Sequence, residues 1–282
     1  MKKQIENIVF PNFGNENFSN TRNTIQLYAQ LISAIKGNLV PHQKNWEEYS
    51  LKIYAKGFTT TSIPIQTDGG IEALDLNLNI IEHKLKMFYK DNRNEISLEQ
   101  TSIAEFTQKL FEIFELHKIT IEKLDDKFYT TDQLQYNKIE VSNLWNLFRQ
   151  AYFLLLKFRG STLKETSNIN FWPHHFDLAM LVFSGKLVDG QNISNWDYSR
   201  EQMNFGLSSG DSGITEPYFY ITAYPFDKAL LNIKLPAFAE WHTEGWNGLV
   251  VKLSNIANHK EVFSPLLKLF TNLLNENYKL TN

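Results

Sequence analysis

The apolar residues of this chain change period from helical to alternating and back again, and they do so twice. That order limits the folds open to it. From Arg22, the residues Ile25, Tyr28, Ala29, Ile32 and Ile35 recur at spacings of three and four. They make one stripe of a helix, with Gly37 as its expected stop. In Ser50–Lys56 the spacing falls to two, so Leu51, Ile53 and Ala55 share a strand face. Thr61–Gln66 reads as a second short strand, which Pro64 assigns to an edge or a bulge. Asp68-Gly69-Gly70 is a turn, and Ile71–Leu78 and Ile80–Tyr89 form a hairpin around Asn79. Leu98–His117 is helical again, with Ile103, Phe106, Leu110, Ile113 and Phe114 on one side. Ile119–Lys123 reads as a short strand.

The second half repeats this outline. Lys138–Phe158 is a helix striped by Val141, Leu144, Trp145, Phe148, Tyr152 and Leu155. Three strands follow, Asn170–Phe183, Tyr218–Tyr224 and Gly248–Ser254. Glu261–Tyr278 closes as a helix, with Phe263, Leu266, Leu267, Phe270 and Leu274 inward. The expected architecture is α+β, mainly antiparallel sheet with packed helices. Residues 1–21, polar and rich in Asn, are expected as an N-terminal arm. No low-complexity linker interrupts residues 22–282, which are expected as a single compact unit. Within it, 22–125 and 137–282 are expected as two similar helix–strands–helix halves, a duplication of outline with no residue-level repeat.

Composition then narrows the chemistry. None of the 282 residues is Cys, so disulfides, thiol nucleophiles and cysteine-ligated zinc or iron–sulfur sites are excluded. Reactive groups must be His, carboxylates, hydroxyls, Lys, Arg or the backbone. Twenty-eight basic residues against 31 acidic ones give a net charge of −3. That balance offers no attraction for nucleic acid, and the dispersed charges make no polybasic membrane patch. The longest apolar runs, such as Ala151–Leu156, are too short to span a bilayer. The start Met1-Lys2-Lys3-Gln4-Ile5-Glu6-Asn7 has no apolar core of a signal peptide, so a cytoplasmic setting is expected.

Four of the six Trp and four of the seven His follow residue 170, in segments dense with polar groups. The first is Phe171-Trp172-Pro173-His174-His175-Phe176-Asp177. Read as one strand, it sets His175 and Asp177 on one face and Trp172 and His174 on the other. The second is Trp241-His242-Thr243-Glu244-Gly245-Trp246, where His242 and Glu244 are again two apart. The third runs from Phe205 through Gly206, Gly210, Asp211 and Gly213 to Glu216-Pro217-Tyr218. Its glycines permit close backbone approach, so its N–H groups could cradle an anion. It matches neither the P-loop nor the dinucleotide fingerprint.

Together these segments suggest a small-molecule pocket. One of His174, His175 and His242 would be a general base, oriented by Asp177 or Glu244. Trp172, Gly210, Asp211, Glu216, Tyr218, Trp241 and Trp246 would line it. The same His175, Asp177, His242 and Glu244 could instead hold a divalent metal. In a third reading the protein is a non-catalytic interaction module and the motifs are structural. Asp211 then supports its turn through Asx hydrogen bonds and Glu216 caps a loop. His42, His83, His117 and His259 are structural or solvated, and Lys86, Lys90 and Arg93 form a solvated basic run. No substrate or reaction follows from these residues.

The order of W-P-H-H-F-D, G-L-S-S-G-D, E-P-Y-F-Y and W-H-T-E-G-W resembles an uncharacterised bacterial family, or a close relative of the domain of unknown function 5996 proteins. The helix Thr24–Lys36, the run Leu51–Thr60 and Phe183-Ser184-Gly185 agree with it. The resemblance covers roughly Arg22 to Tyr278 and implies no activity. Ser209 departs from it, standing where that family's loop is expected to carry Pro in Ser-Pro-Gly-Asp.

Overall fold

The computed structural model describes residues 16–257 and 262–280. They fall into two units that divide within the helix α3 (Lys138–Ser161). Among the described residues, 16–145 with 170–176 form an N-terminal unit; 146–169, 177–257 and 262–280 form a C-terminal unit. The chain is α+β, with antiparallel pairing in both units.

In the N-terminal unit, helix α1 (Glu16–Leu39) buries Ile25, Tyr28, Ala29, Ile32 and Ile35, the stripe read from their spacing. It starts within the expected arm, of which residues 1–15 lie outside the described residues. It also passes through Gly37, which is not a stop. A Cβ at Gly37 would overlap the Tyr49 ring, so close packing explains the glycine.

Six strands follow: β1 (Lys52–Tyr54), β2 (Gly57–Thr59), β3 (Ile63–Thr67), β4 (Gly70–Asn79), β5 (Lys84–Tyr89) and β6 (Asn92–Ser97). Their sheet has the order β1-β2-β4-β5-β6, with β3 on β4. Pro64 therefore sits on a strand with a single partner, where its missing N–H interrupts no second ladder. The hairpin turn falls at 80–83, and the Asn79 Oδ1 closes it by accepting the Glu82 N–H at 2.9 Å. Strand β6 falls in a stretch to which the sequence pattern assigns no element, because Asn92-Arg93-Asn94-Glu95 offers no apolar alternation. It is held by β5 and by ion pairs that corrected another expectation: Lys86 is buried, bonded to Glu82 and facing Glu95, rather than solvated. Helix α2 (Ile103–Leu116) opens on Ser102, whose hydroxyl accepts the Glu105 N–H at 3.2 Å. Residues 119–123 are irregular, not a strand. Strand β7 (Asn170–Trp172) exchanges backbone hydrogen bonds of 2.8 and 2.9 Å between Leu51 and Phe171. Phe58 stacks on Phe171 at 4.1 Å and meets Trp145 edge-on at 5.8 Å.

In the C-terminal unit, β8 (Asp177–Leu187), β9 (Arg200–Ser208), β10 (Tyr218–Tyr224), β11 (Glu240–His242) and β12 (Gly248–Lys252) run in the order β11-β12-β10-β9-β8. One face carries Leu178, Met180, Val182, Met203, Phe205, Leu207, Phe219 and Ile221, all buried. Phe158 of α3 and Phe270 of helix α4 (Phe263–Leu280) pack against Phe205 at 4.5 and 5.5 Å. The closing helix was expected from Glu261, which lies outside the described residues.

The buried Lys36 ammonium of α1 donates to the backbone oxygens of Glu47 (3.0 Å) and Ser50 (2.6 Å). Burial disfavours its charge, Lys52 adds to this, and Glu47 and Glu48 oppose it, leaving the pKa at about 8 instead of 10.5. Between those values the unfolded chain binds a proton that the folded chain has released, so stability rises with pH. Between about pH 7 and pH 10 the wild type should gain about 2 kcal/mol over Lys36→Met in denaturant titrations. A difference that stays constant with pH would contradict the assignment.

Candidate functional site

Strand alternation gives the second sheet a polar face opposite its core. On β9, Gln202, Asn204, Gly206 and Ser208 point to that face, between the buried Met203, Phe205 and Leu207. Across the ladder, Ser208 lies between Asp177 and Tyr218, and Gly206 between Ala179 and Tyr220. The Tyr220 ring crosses β9 above Gly206 and donates its hydroxyl to the Asp177 Oδ2 on β8. Only glycine permits this, because a Cβ at position 206 would overlap the ring.

Two residues earlier, the Tyr218 hydroxyl donates to the Asp211 Oδ2 at 2.6 Å. The two tyrosine rings lie 6.2 Å apart on the face. Ile214 and Val250 pack with Tyr218, and Tyr220 and Trp246 flank them. Trp246 folds back over the bare backbone of Gly248, where a Cβ would come within 2.6 Å of its ring. Burial, with the neighbouring Asp211, pushes the Tyr218 pKa up; burial and Asp177 do the same for Tyr220. Both hydroxyls remain protonated donors at ordinary pH. Asp177 itself is 6% exposed.

The loop between β9 and β10 is built by its own aspartate. Asp211 Oδ1 accepts the N–H groups of Gly213 (2.7 Å) and Ile214 (2.9 Å), the Asx turn considered from sequence. Of the amides expected as an anion cradle, Gly213 thus bonds Asp211, Gly210 donates to the Ser208 hydroxyl at 3.1 Å and Asp211 to the Ile214 oxygen at 2.8 Å, while Gly206 belongs to the strand. Gly210 has φ +99°, which favours glycine. Glu216 accepts from the backbone N–H (2.9 Å) and hydroxyl (3.0 Å) of Ser254, tying the loop to the end of β12.

His242 meets the backbone oxygen of Glu244 at 2.7 Å and packs tilted against Trp246, ring centroids 4.4 Å apart. The Glu244 side chain is not its partner there. Trp241 donates to the Ile233 oxygen at 3.3 Å.

Trp172, His174 and His175 belong to the N-terminal unit. The segment expected as one strand is broken by a turn at 173–176, with Phe176 at φ +53°. The simple alternation that put His175 and Asp177 on one face therefore does not apply. The two imidazoles lie 4.3 Å apart, and Gln26 and Gln30 donate to the Pro173 oxygen at 3.3 and 3.2 Å. His174 is held below the usual imidazole pKa by partial burial, with His175 and Lys127 adding to it, although the residue keeps much of its surface in solvent.

Three other histidines have structural partners. His42 meets Glu48 at 2.7 Å, His83 the Tyr136 hydroxyl at 2.8 Å, and His117 the Asn94 side chain at 3.2 Å. His259 lies outside the described residues. Among the described residues, no group of three or more His, Asp or Glu is placed to hold a metal ion, and no helix is long and apolar enough to cross a membrane.

The sequence reading missed Gln202, Asn204 and Tyr220. For Gln202 and Asn204 the signal was the strict alternation from Gln202 to Ser208, obscured by the glycine and serines at its end; for Tyr220 it was its place two residues after Tyr218, on the same strand face.

No curated protein and no solved structure matches the chain. One family model matches residues 10–272, in agreement with the resemblance carried by W-P-H-H-F-D and the motifs after it. The protein is a member of the Family of unknown function (DUF5996).

Proposed function

We propose that the polar face of the β8–β12 sheet binds a small molecule rich in hydrogen-bond donors, such as a guanidine, an amide or an aminopurine. One observation carries this reading. The Oδ1 of Asn204 and the Oε1 of Gln202 are buried on that face, and no donor among the described residues reaches either. A buried acceptor without a donor costs about 1–3 kcal/mol, and two neighbouring ones on one strand ask for a partner that supplies both. The carboxylates of Asp177 and Asp211 favour a ligand with positive or donor character. Tyr218, Tyr220 and Trp246 supply aromatic surface around them. The proposed site keeps Asp177, Asp211, Tyr218 and Trp246 from the sequence reading and adds Gln202, Asn204 and Tyr220. It assigns no reaction and needs no metal.

Thermal shift with agmatine, nicotinamide and adenine tests the reading. At least one should raise the wild-type melting temperature by a few degrees and leave Asn204→Leu and Gln202→Leu unmoved, both variants checked by circular dichroism. No shift with any of the three, or an equal shift in the variants, would sink the proposal. The support under the site can be tested separately. Gly206→Ala should cost about 1–3 kcal/mol by driving Tyr220 off Asp177. Gly160→Ala, a helix position with open space around it, should stabilise by up to about 1 kcal/mol. Equal effects of the two substitutions would remove the role given to Gly206.

A further inference from the structure

A second feature lies in the N-terminal unit and is independent of the proposed site. A cleft of about 480 Å³ opens beside α1, with Trp46, Tyr49, Leu124, Lys127, Phe128 and His174 among its lining residues. That volume lies in the range of small-molecule sites.

Its wall is built at a cost. Asn45 and Trp46 are consecutive left-handed residues, at φ 55° and 58°. Asn tolerates that region, but a bulky side chain does so only under strain. The strained backbone presents an indole that is still 53% exposed. The indole is not left to wander. His42 meets it edge-on at 4.8 Å and is itself anchored at 2.7 Å on Glu48, which is buried. Tyr49 lies 6.4 Å away in the same wall, over the position that only Gly37 leaves open. An aromatic wall is thus fixed beside the cleft without being covered by the unit's own core.

The charges of the cleft are unequal. Lys123 is paired with Asp126 at 2.9 Å, and Asp125 spends one oxygen on the Lys127 N–H at 2.9 Å. The Lys127 ammonium lies 5.0 Å from the Phe128 ring centroid and takes part in none of the ion pairs among the described residues. A ligand that lays a flat apolar ring on the wall and carries one negative group would use both features.

We propose that this cleft binds a planar aromatic anion, its ring against Trp46 and Tyr49 and its charge toward Lys127. The probes are 2-naphthoate and its uncharged isostere 2-naphthamide, titrated calorimetrically into the full chain. The wild type should bind 2-naphthoate with a dissociation constant of about 1 mM or tighter and 2-naphthamide at least about fivefold more weakly. Trp46→Gly, in which glycine accepts the left-handed backbone and so preserves folding, should weaken 2-naphthoate about tenfold. Lys127→Met should erase the preference for the anion. Absence of 2-naphthoate binding to the wild type would overturn the proposal, as would affinity unchanged by Trp46→Gly. Equal binding of both probes, unaltered by Lys127→Met, would also overturn it.

Discussion

A missing side chain organises the C-terminal unit. Gly206 leaves the middle of its sheet bare on one face, and the Tyr220 ring lies across that gap to hydrogen-bond Asp177 on the far strand. One contact therefore joins β10 to β8 over the top of β9. It gives a hydrogen-bond donor to a carboxylate that is 6% exposed. Gly248 repeats the device on β12, two strands away, with Trp246 lying over it. Where alternation would have supplied two more side chains, the sheet has aromatic rings brought in from neighbouring positions.

The helices were legible because burial follows the stripe that spacing defines. Ile25, Tyr28, Ile32 and Ile35 are buried along α1 as their positions required. Helix ends were less legible. Gly37 carries the local signature of a stop, yet its glycine answers to Tyr49, twelve residues away in sequence. Strand β6 was missed for the opposite reason: its sequence is polar, and the ladder to β5 and the charges of Lys84, Lys86 and Arg93 around Glu95 hold it. Pairing and ion pairs of this kind are invisible to hydrophobic periodicity.

For the candidate site, residue types were legible and pairings were not. Asp177 was expected to orient a histidine, and the Tyr220 hydroxyl that it accepts was not foreseen. His242 and Glu244 come together, but through a backbone oxygen. The turn at 173–176 shows why: one left-handed residue, Phe176, ends the alternation on which the facing of His174 and His175 was based. The Asx turn of Asp211 was legible, because an aspartate carboxylate reaches the amides two and three residues ahead, here Gly213 and Ile214, and closes its own loop.

The sequence by itself determined the α+β class, the stripes that face each core, the edge position of Pro64 and the absence of thiol chemistry. Each follows from local periodicity, from a missing N–H or from composition. Tertiary structure decided which side chains meet. The partners of Tyr220, Lys36 and Lys86, and the crowding at Gly37 and Gly206, depend on strand register and on the approach of residues far apart in the chain. No local period encodes those distances, so the groups that define both proposed sites emerge only once the chain has folded.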